Sequence, residues 1–283
     1  MTDHPHVRSR DRLALPQVTL CAVTSVNVKA TVRALEACLD QVAFAECKLL
    51  TDAAVETHDP EIHITPIGRL GSSEAYSDFL LSKLLDHVET SHCLIVQWDG
   101  HVLDARRWQP EFLNYDYIGA SWPQFQDGHN VGNGGFSLRS RKLMEACQAR
   151  EFRQHHPEDV AIGRTNRDWL EAQGIRFAPR ELADRFAAER AGDLKASFGY
   201  HGVFNMPRTL GAEVFWDVYR ELDDRSSIRH DFASIIKAMR HGPSSLGRIA
   251  RIIADGVQFA LRRKCRSLFI DARRRCRESQ PKG

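Results

Sequence analysis

Apolar residues follow two alternating rhythms along the first hundred positions. The stretch "QVTLCAVT", 17–24, is an apolar run that predicts a buried first strand. "VKATVRALEACLDQV", 28–42, sets Val28, Val32, Leu35, Leu39 and Val42 at helical spacing. "CKLLT", 47–51, predicts a second short strand, and "EIHITPI", 61–67, an alternating third. "SSEAYSDFLLSKLLDHVE", 72–89, predicts one helix with Ser72 or Ser73 as N-cap. "CLIVQ", 93–97, is almost continuously apolar, as strands buried on both faces are. Strands alternating with helices predict an α/β fold with a mainly parallel sheet flanked by helices.

Beyond residue 100 the rhythm is less regular. "YDYIGASW", 115–122, predicts a strand, and "GGFSLRSRKLMEAC" a strand running into a helix. "PEDVAIGRTNRDWLEAQG", 157–174, predicts a helix with acids in its first turn and Gly174 at its end. "IRFAP" predicts a short strand and "RTLGAEVFWDVYREL", 208–222, a further helix. "HGPSSLG", 241–247, is the best linker candidate.

Composition narrows the class. The chain has 283 residues, 42% hydrophobic and 27% charged, within the range of globular domains. No apolar run approaches the roughly 20 residues that cross a bilayer. The polar segment "MTDHPHVRSRDRLALP" has no apolar signal core, so a cytoplasmic protein is expected. Seven cysteines are scattered without a C-x-x-C pair, which predicts buried thiols rather than disulfides or zinc ligands. The net charge of +2 conceals an asymmetry: residues 245–283 hold eleven Lys/Arg against three Asp/Glu, and the rest hold 28 against 34. The acidic body lacks a basic, aromatic-interleaved surface, which argues against nucleic acid as a partner.

Four places can carry chemistry. "CLIVQ" runs into "WDGHVLD", so Asp99 follows a buried strand at the sheet edge where ligands gather. A carboxylate there can hold a divalent cation, or Asp99-Gly100 can simply be a turn. Glu158 and Asp159 open a helix, where acids suit the helix dipole and where a catalytic base would also be rigidly held. His201, in "FGYHGVFN", is either a ligand or proton carrier, or a hydrogen-bonded loop histidine. Asn133, Gly134 and Gly135 form a stretch of bare backbone: a β-bulge or hairpin turn, or a pocket wall.

The order "QWDG", "YDYIGASWP", "VGNGGFSLRSRKLM", "PEDV", "FGYHG" resembles a bacterial and fungal family of glycosyltransferase-like proteins of unassigned function, related to GT-A glycosyltransferases. The resemblance spans about residues 17–207. It implies a GT-A-like, Rossmann-like domain, set at 17–225; the polar segment 1–16 is expected to be disordered and 226–283 to form a basic helical extension. In such enzymes an Asp-x-Asp motif binds the metal and the nucleotide-sugar. Gln97-Trp98-Asp99 takes its place here, with Asp99 matching the metal-holding aspartate and Gln97 departing from the first. The glycine-rich pocket segment matches Asn133, Gly134 and Gly135. The acidic pair matches Glu158 and Asp159, with Asp159 as the base, and the late metal-shell histidine matches His201.

The resemblance therefore implies transfer of a sugar, with inversion, from a nucleotide-sugar to a saccharide or lipid-linked glycan, in surface polysaccharide or glycoconjugate synthesis. The cofactor it implies is Mn²⁺ or Mg²⁺. Thr24, Ser25 and Asn27, in the loop after the first strand, join Gln97, Trp98 and the Asn-Gly-Gly segment as expected donor contacts. Gln97 motivates a rival: a scaffold that binds a nucleotide-sugar or carbohydrate without turnover. The tail adds a further expectation. Leu246, Ile249, Ile252, Ile253, Val257, Ala260 and Leu261 share a helical face beside Arg248, Arg251, Arg262, Arg263, Lys264 and Arg266, with Arg273, Arg274, Arg275 and Arg277 beyond. Such a segment can hold a protein at the inner face of the cell membrane, pack back on the body, or mediate oligomers.

Overall fold

The computed structural model describes residues 11–55, 57, 59–240 and 244–258. The expectations for residues 1–10, for the linker at 241–243 and for the basic stretch 259–283, Cys265 and Cys276 included, concern residues outside these.

The first half is built as β1 (Leu13–Val23), α1 (Val28–Leu39), β2 (Val42–Thr51), β3 (Ile62–Pro66), α2 (Ser73–Ser82) and β4 (His92–Val96). Between β4 and the second half lie two short strands, β5 (His101–Val102) and β6 (Tyr117–Ile118), followed by β7 (Phe136–Ser140) and α3 (Arg141–Cys147). Six strands form one sheet in the order β3-β2-β1-β4-β7-β6. β3, β2, β1 and β4 pair in parallel, and β7 runs antiparallel to β4 and β6. The expected mixed, mainly parallel α/β sheet is the one observed. β1 starts at Leu13, inside the segment 1–16 expected to be disordered.

The central strands are apolar without interruption because both faces are covered. Leu20, Ala22, Leu94 and Val96 point into the larger core with Leu35 and Leu39 of α1. Cys21, Val23, Cys93 and Ile95 point the other way, against Leu80 and Leu84. The side-chain period of two sends neighbours to opposite layers. Cys21, Cys38, Cys47, Cys93 and Cys147 are all buried thiols.

Chain order reverses direction between β1 and β4. From β1 the sheet grows one way through β2 and β3, and then restarts on the other side at β4. That is a topological switch point, and crevices for ligands open beyond the carboxyl ends of strands at such points. Thr24 and Gln97 are the first residues past those two strands.

Several expected elements are interrupted. The helix expected over 72–89 is α2, capped by Ser72, followed by a 3₁₀ turn over Leu84–His87. The strand expected over 115–122 narrows to β6 plus one bridge from Ser121 to Val131. "IRFAP" makes one bridge, Tyr117 to Phe177, before Pro179 opens a helix. The helix expected over 157–174 becomes α4 (Glu158–Val160), a π turn over Ala161–Thr165 and α5 (Arg167–Ala172). Asn166 explains the wider turn. It is buried, its backbone N–H reaches Ala161 O at 3.0 Å, and its side-chain amide donates to Ala161 O and Arg153 O.

The chain continues through α6 (Arg180–Phe186), β8 (Ala187–Ala188), β9 (Gly199–Tyr200), α7 (Met206–Thr209), α8 (Ala212–Glu221) and α9 (Phe232–Ala238). The helix expected over 208–222 is divided at Gly211, whose φ of 81° suits glycine. A last described helix covers 245–258. The boundary expected at 225 separates nothing in the packing. Ile228, Ile235, Met239 and Ile252 share one apolar cluster with Tyr200, Phe215 and Tyr219.

Candidate functional site

A second, three-stranded sheet, in the order β5-β9-β8, gathers side chains beside the end of β4. His101 pairs with Tyr200 in the antiparallel β5–β9 ladder, so the register carries Gly100 opposite His201. Ala188 pairs with Tyr200 in the parallel β8–β9 ladder, so Glu189 and His201 leave their strands side by side. His201 N–H also donates to Ala188 O at 3.0 Å. Three segments roughly 90 and 12 residues apart thus deliver Asp99, Glu189 and His201 to one place: Glu189 and His201 each stand one position past a two-residue strand, and Asp99 two positions before the antiparallel β5.

His201 lies between two carboxylates. Its Nε2 is 3.3 Å from Asp99 Oδ1 and its Nδ1 is 3.6 Å from Glu189 Oε1. Nε2 is also 3.2 Å from Gln97 Oε1, and Gln97 in turn donates to the Tyr76 hydroxyl at 2.9 Å. Burial opposes a charge on His201, but Asp99 and then Glu189 outweigh it and raise its pKa well above the usual histidine range. Asp99 Oδ1 and His201 Nδ1 are nonetheless buried without a hydrogen bond. Buried polar atoms left in that state call for a partner.

This donor set can hold a divalent cation once His201 Nε2 gives up its proton. Ligand atoms at neighbouring corners of a Mg²⁺-sized octahedron stand about 3 Å apart. Gln97 Oε1 and Asp99 Oδ1 each lie close to that distance from His201 Nε2. Glu189 behind Nδ1 is the carboxylate that commonly orients a ligating imidazole. A different cluster, His129, Asp168 and Glu171, also has ligand spacing, but it is largely exposed and Glu171 is engaged by Arg167 Nε at 2.7 Å.

The Asn-Gly-Gly segment closes over the same centre. Asn133, with a φ of 60°, donates from Nδ2 to Glu189 Oε2 and accepts at Oδ1 from Gly135 N–H at 3.2 Å. Gly135 O accepts from Gln97 N–H at 2.9 Å, which ties the segment to the end of β4. A Cβ on Gly135 would stand 2.0 Å from His201 Nε2. A Cβ on Gly134 would stand 1.9 Å from Glu158 Oε1. The room left by the bare backbone is taken up by the protein's own histidine and glutamate.

The two acids of the pair differ sharply. Glu158 is buried, and its Oε1 accepts from Arg139 Nη2 at 3.1 Å. Ser77 Oγ donates to its other oxygen at 3.3 Å and accepts from its backbone N–H. Arg139 itself is 1% exposed, so this is an interior ion pair. Asp159 is half-buried and accepts from Val160 N–H at 2.8 Å, with no Arg or Lys among the described residues paired to it as Arg139 is to Glu158. Its removal from water, and then the Glu158 charge, raise its pKa to about 6, against the pull of Val160 N–H, Arg139 and Gly134 N–H. A half-buried carboxylate poised near neutrality is suited to taking up a proton.

The remaining expected donor contacts are distributed unevenly. Ser25, half-buried, accepts from Leu70 N–H at 2.8 Å, and Thr24 turns its hydroxyl back on Val26 O. Asn27 is buried, and its amide is engaged on both sides by the Asp224 backbone, at 2.8 and 2.9 Å. It fastens the loop to the end of α8 rather than facing the crevice. Trp98 packs partly against the apolar cluster around Tyr200. Glu189 escaped the sequence reading because "FAAER" carries no periodic signal and β8 is two residues long.

Residues 60–201 match the model of a family described as "Protein of unknown function (DUF5672)". The matched stretch holds Gln97, Asp99, Asn133, Gly134, Gly135, Glu158, Asp159 and Glu189, and ends on His201. No curated protein matches. Among solved structures the chain is similar to a mannosyltransferase, PcManGT from Pyrobaculum calidifontis in complex with GDP-Man and Mn²⁺. The two are 12% identical, with 92% of this chain and 83% of that one covered at a TM-score of 0.42.

Proposed function

The chain belongs to the DUF5672 family, whose description assigns no chemistry, and from its site we propose that it is a glycosyltransferase. It moves a sugar from a nucleotide-sugar to a saccharide or lipid-linked glycan acceptor, with inversion. The observation that carries this reading is the pairing of a poised carboxylate, Asp159, with a buried oxygen–nitrogen donor set on either side of one glycine pair. Glycosyl transfer needs both a base for the acceptor hydroxyl and a counter-charge for the leaving diphosphate.

Asp159 takes the acceptor proton as the hydroxyl attacks the anomeric carbon. A single base suits a single displacement, hence inversion. Asp99, His201 and Gln97 would hold Mn²⁺ or Mg²⁺, which when bound neutralises the leaving nucleoside diphosphate. Glu189 stands 3.6 Å behind His201 Nδ1, and its charge there favours the ring orientation that turns Nε2 toward Asp99. Asn133 and the Gly134–Gly135 backbone form the wall beside the sugar, and Ser25 and Thr24 stand where β1 ends, in reach of the nucleotide. Glu158 holds Arg139 and thereby the wall.

The test is incubation with a panel of nucleotide-sugars and detection of released nucleoside diphosphate. Absence of binding, hydrolysis and transfer across the panel would refute the reading. Gln97, neutral where an acid is expected, motivates the second reading of a nucleotide-sugar-binding scaffold. Donor affinity equal with and without Mn²⁺, together with no turnover, would favour it.

Asp99→Ala should weaken donor binding by about 10–100-fold in the presence of Mn²⁺, the usual cost of disturbing a metal shell, and by little in its absence. Titration calorimetry in Mn²⁺ and in chelator reads the difference. Equal losses in both buffers would remove Asp99 from the metal.

A further inference from the structure

The last described helix, 245–258, has two faces of opposite character. Inward, Ile252 is fully buried and Ile249 partly so, in the cluster with Phe215 and Tyr219. Arg248 pairs with Glu213, and the Tyr219 hydroxyl donates to Asp255 Oδ2 at 2.9 Å. The helix is therefore anchored to the body and does not swing free. Outward, Leu246, Ile253 and Val257 are 83%, 43% and 54% exposed. Steps of seven and four residues put them on one stripe. Val214 of α8, beside the Glu213 contact, is exposed as well. Of the six large apolar side chains exposed among the described residues, these are four. Singly scattered apolar residues need no explanation, but a grouped set beside polar residues marks an interaction surface.

The sequence that follows says what kind. Residues 259–283 hold nine Lys/Arg against Asp271 and Glu278, whereas the chain before residue 245 has more acids than bases. An apolar stripe continued by concentrated positive charge, on an otherwise acidic protein, is complementary to a surface that is apolar beneath and anionic on top. We propose that the outward stripe of helix 245–258, with the basic chain that follows it, docks on an anionic lipid bilayer. Leu246, Ile253 and Val257 enter the boundary between headgroups and acyl chains, and the arginines engage the headgroups. No helix among the described residues is long and apolar enough to cross the membrane, so docking is peripheral. This deepens the transfer reaction proposed above, by bringing the site to an acceptor on a lipid carrier, but it rests on the surface itself and can fail separately.

The experiment is flotation of the full chain with vesicles of phosphatidylcholine alone or of equal parts phosphatidylcholine and phosphatidylglycerol, at low and high salt. The wild type should float with the anionic vesicles at low salt, be released by high salt, and ignore the neutral ones. The triple variant L246D/I253D/V257D should bind about tenfold more weakly with an unchanged unfolding midpoint. R262Q/R263Q/K264Q/R266Q, which leaves the described helix intact, should lose binding too, and decides the matter if the triple variant does not fold. No flotation of the wild type overturns the proposal, as does equal binding to neutral vesicles or unchanged binding by the folded variants. Two further outcomes overturn it by naming another occupant. A wild-type dimer that the triple variant abolishes assigns the stripe to a second copy. A non-floating wild type that the triple variant destabilises assigns it to residues 259–283.

Discussion

Asp159→Asn should lower turnover by about 10²–10⁴-fold and leave donor affinity almost unchanged, since a general base acts chiefly in the transition state. Steady-state kinetics against the active nucleotide-sugar and calorimetric titration separate the two quantities. The parent's rate should climb with pH through about 6, where Asp159 loses its proton, and level off above it. In the variant that limb should vanish. Stability should move the opposite way. The folded-state pKa of Asp159 lies above its ordinary value of 3.8, so the fold holds this proton more tightly than the unfolded chain does. The stability it lends is full below about 4 and is lost as pH rises through about 6. Asparagine cannot ionise, so at pH 7 the variant should unfold at a higher temperature than its parent. A variant that is slower and also less stable would indicate a damaged fold, not a missing base.

Glu158→Ala should destabilise the protein by about 3–5 kcal/mol, the usual cost of leaving one member of a buried ion pair alone. The partner stranded is Arg139, enclosed among Tyr117, Ser137 and Tyr76. Urea unfolding monitored by tryptophan fluorescence measures the loss. Removing both charges together, as Arg139→Met with Glu158→Leu, should recover most of it, because apolar pairs of similar volume often replace such bridges at little cost. If Glu158→Ala keeps full stability and instead abolishes turnover, the roles of the two acids are exchanged.

That contrast marks the limit of what one-dimensional reading reaches. Glu158 and Asp159 are neighbours of the same chemical type, and both suit a helix start. Only three-dimensional packing shows that Glu158 turns inward to Arg139 while Asp159 stays half-buried and without a basic partner among the described residues. The sheet was readable because burial on both faces leaves long apolar runs, as in "TLCAV" and "CLIV". The position of Asp99 beyond the end of β4 was readable because it follows such a run. The small sheet was not. Two-residue strands have no period, and pairing His101 with Tyr200 joins positions 99 residues apart in sequence. Glu189 was lost with it. The π turn at Ala161–Thr165 depends on Asn166 meeting Arg153 from another segment, so its helix read as unbroken. Asn27 read as a loop residue at the ligand edge because its partner, Asp224, lies almost 200 positions away.

The glycine pair constrains how this lineage can change. Alanine at 135 would overlap the His201 ring in its present place, and alanine at 134 would push the Glu158 carboxylate off its present contact with Arg139. Either exchange made first is costly, because the intermediate protein must displace a buried histidine or break a buried ion pair. The reverse order is open: shortening His201 or Glu158 vacates space that a methyl group can later occupy. Among descendants, a side chain at 135 should therefore be found only where the histidine has gone, and bare glycine should persist wherever it remains. Position 134 should keep the same company with the acid at 158. A chain that had abandoned its chemistry would show it first in these two couples, as glycines filling in behind side chains that are no longer there.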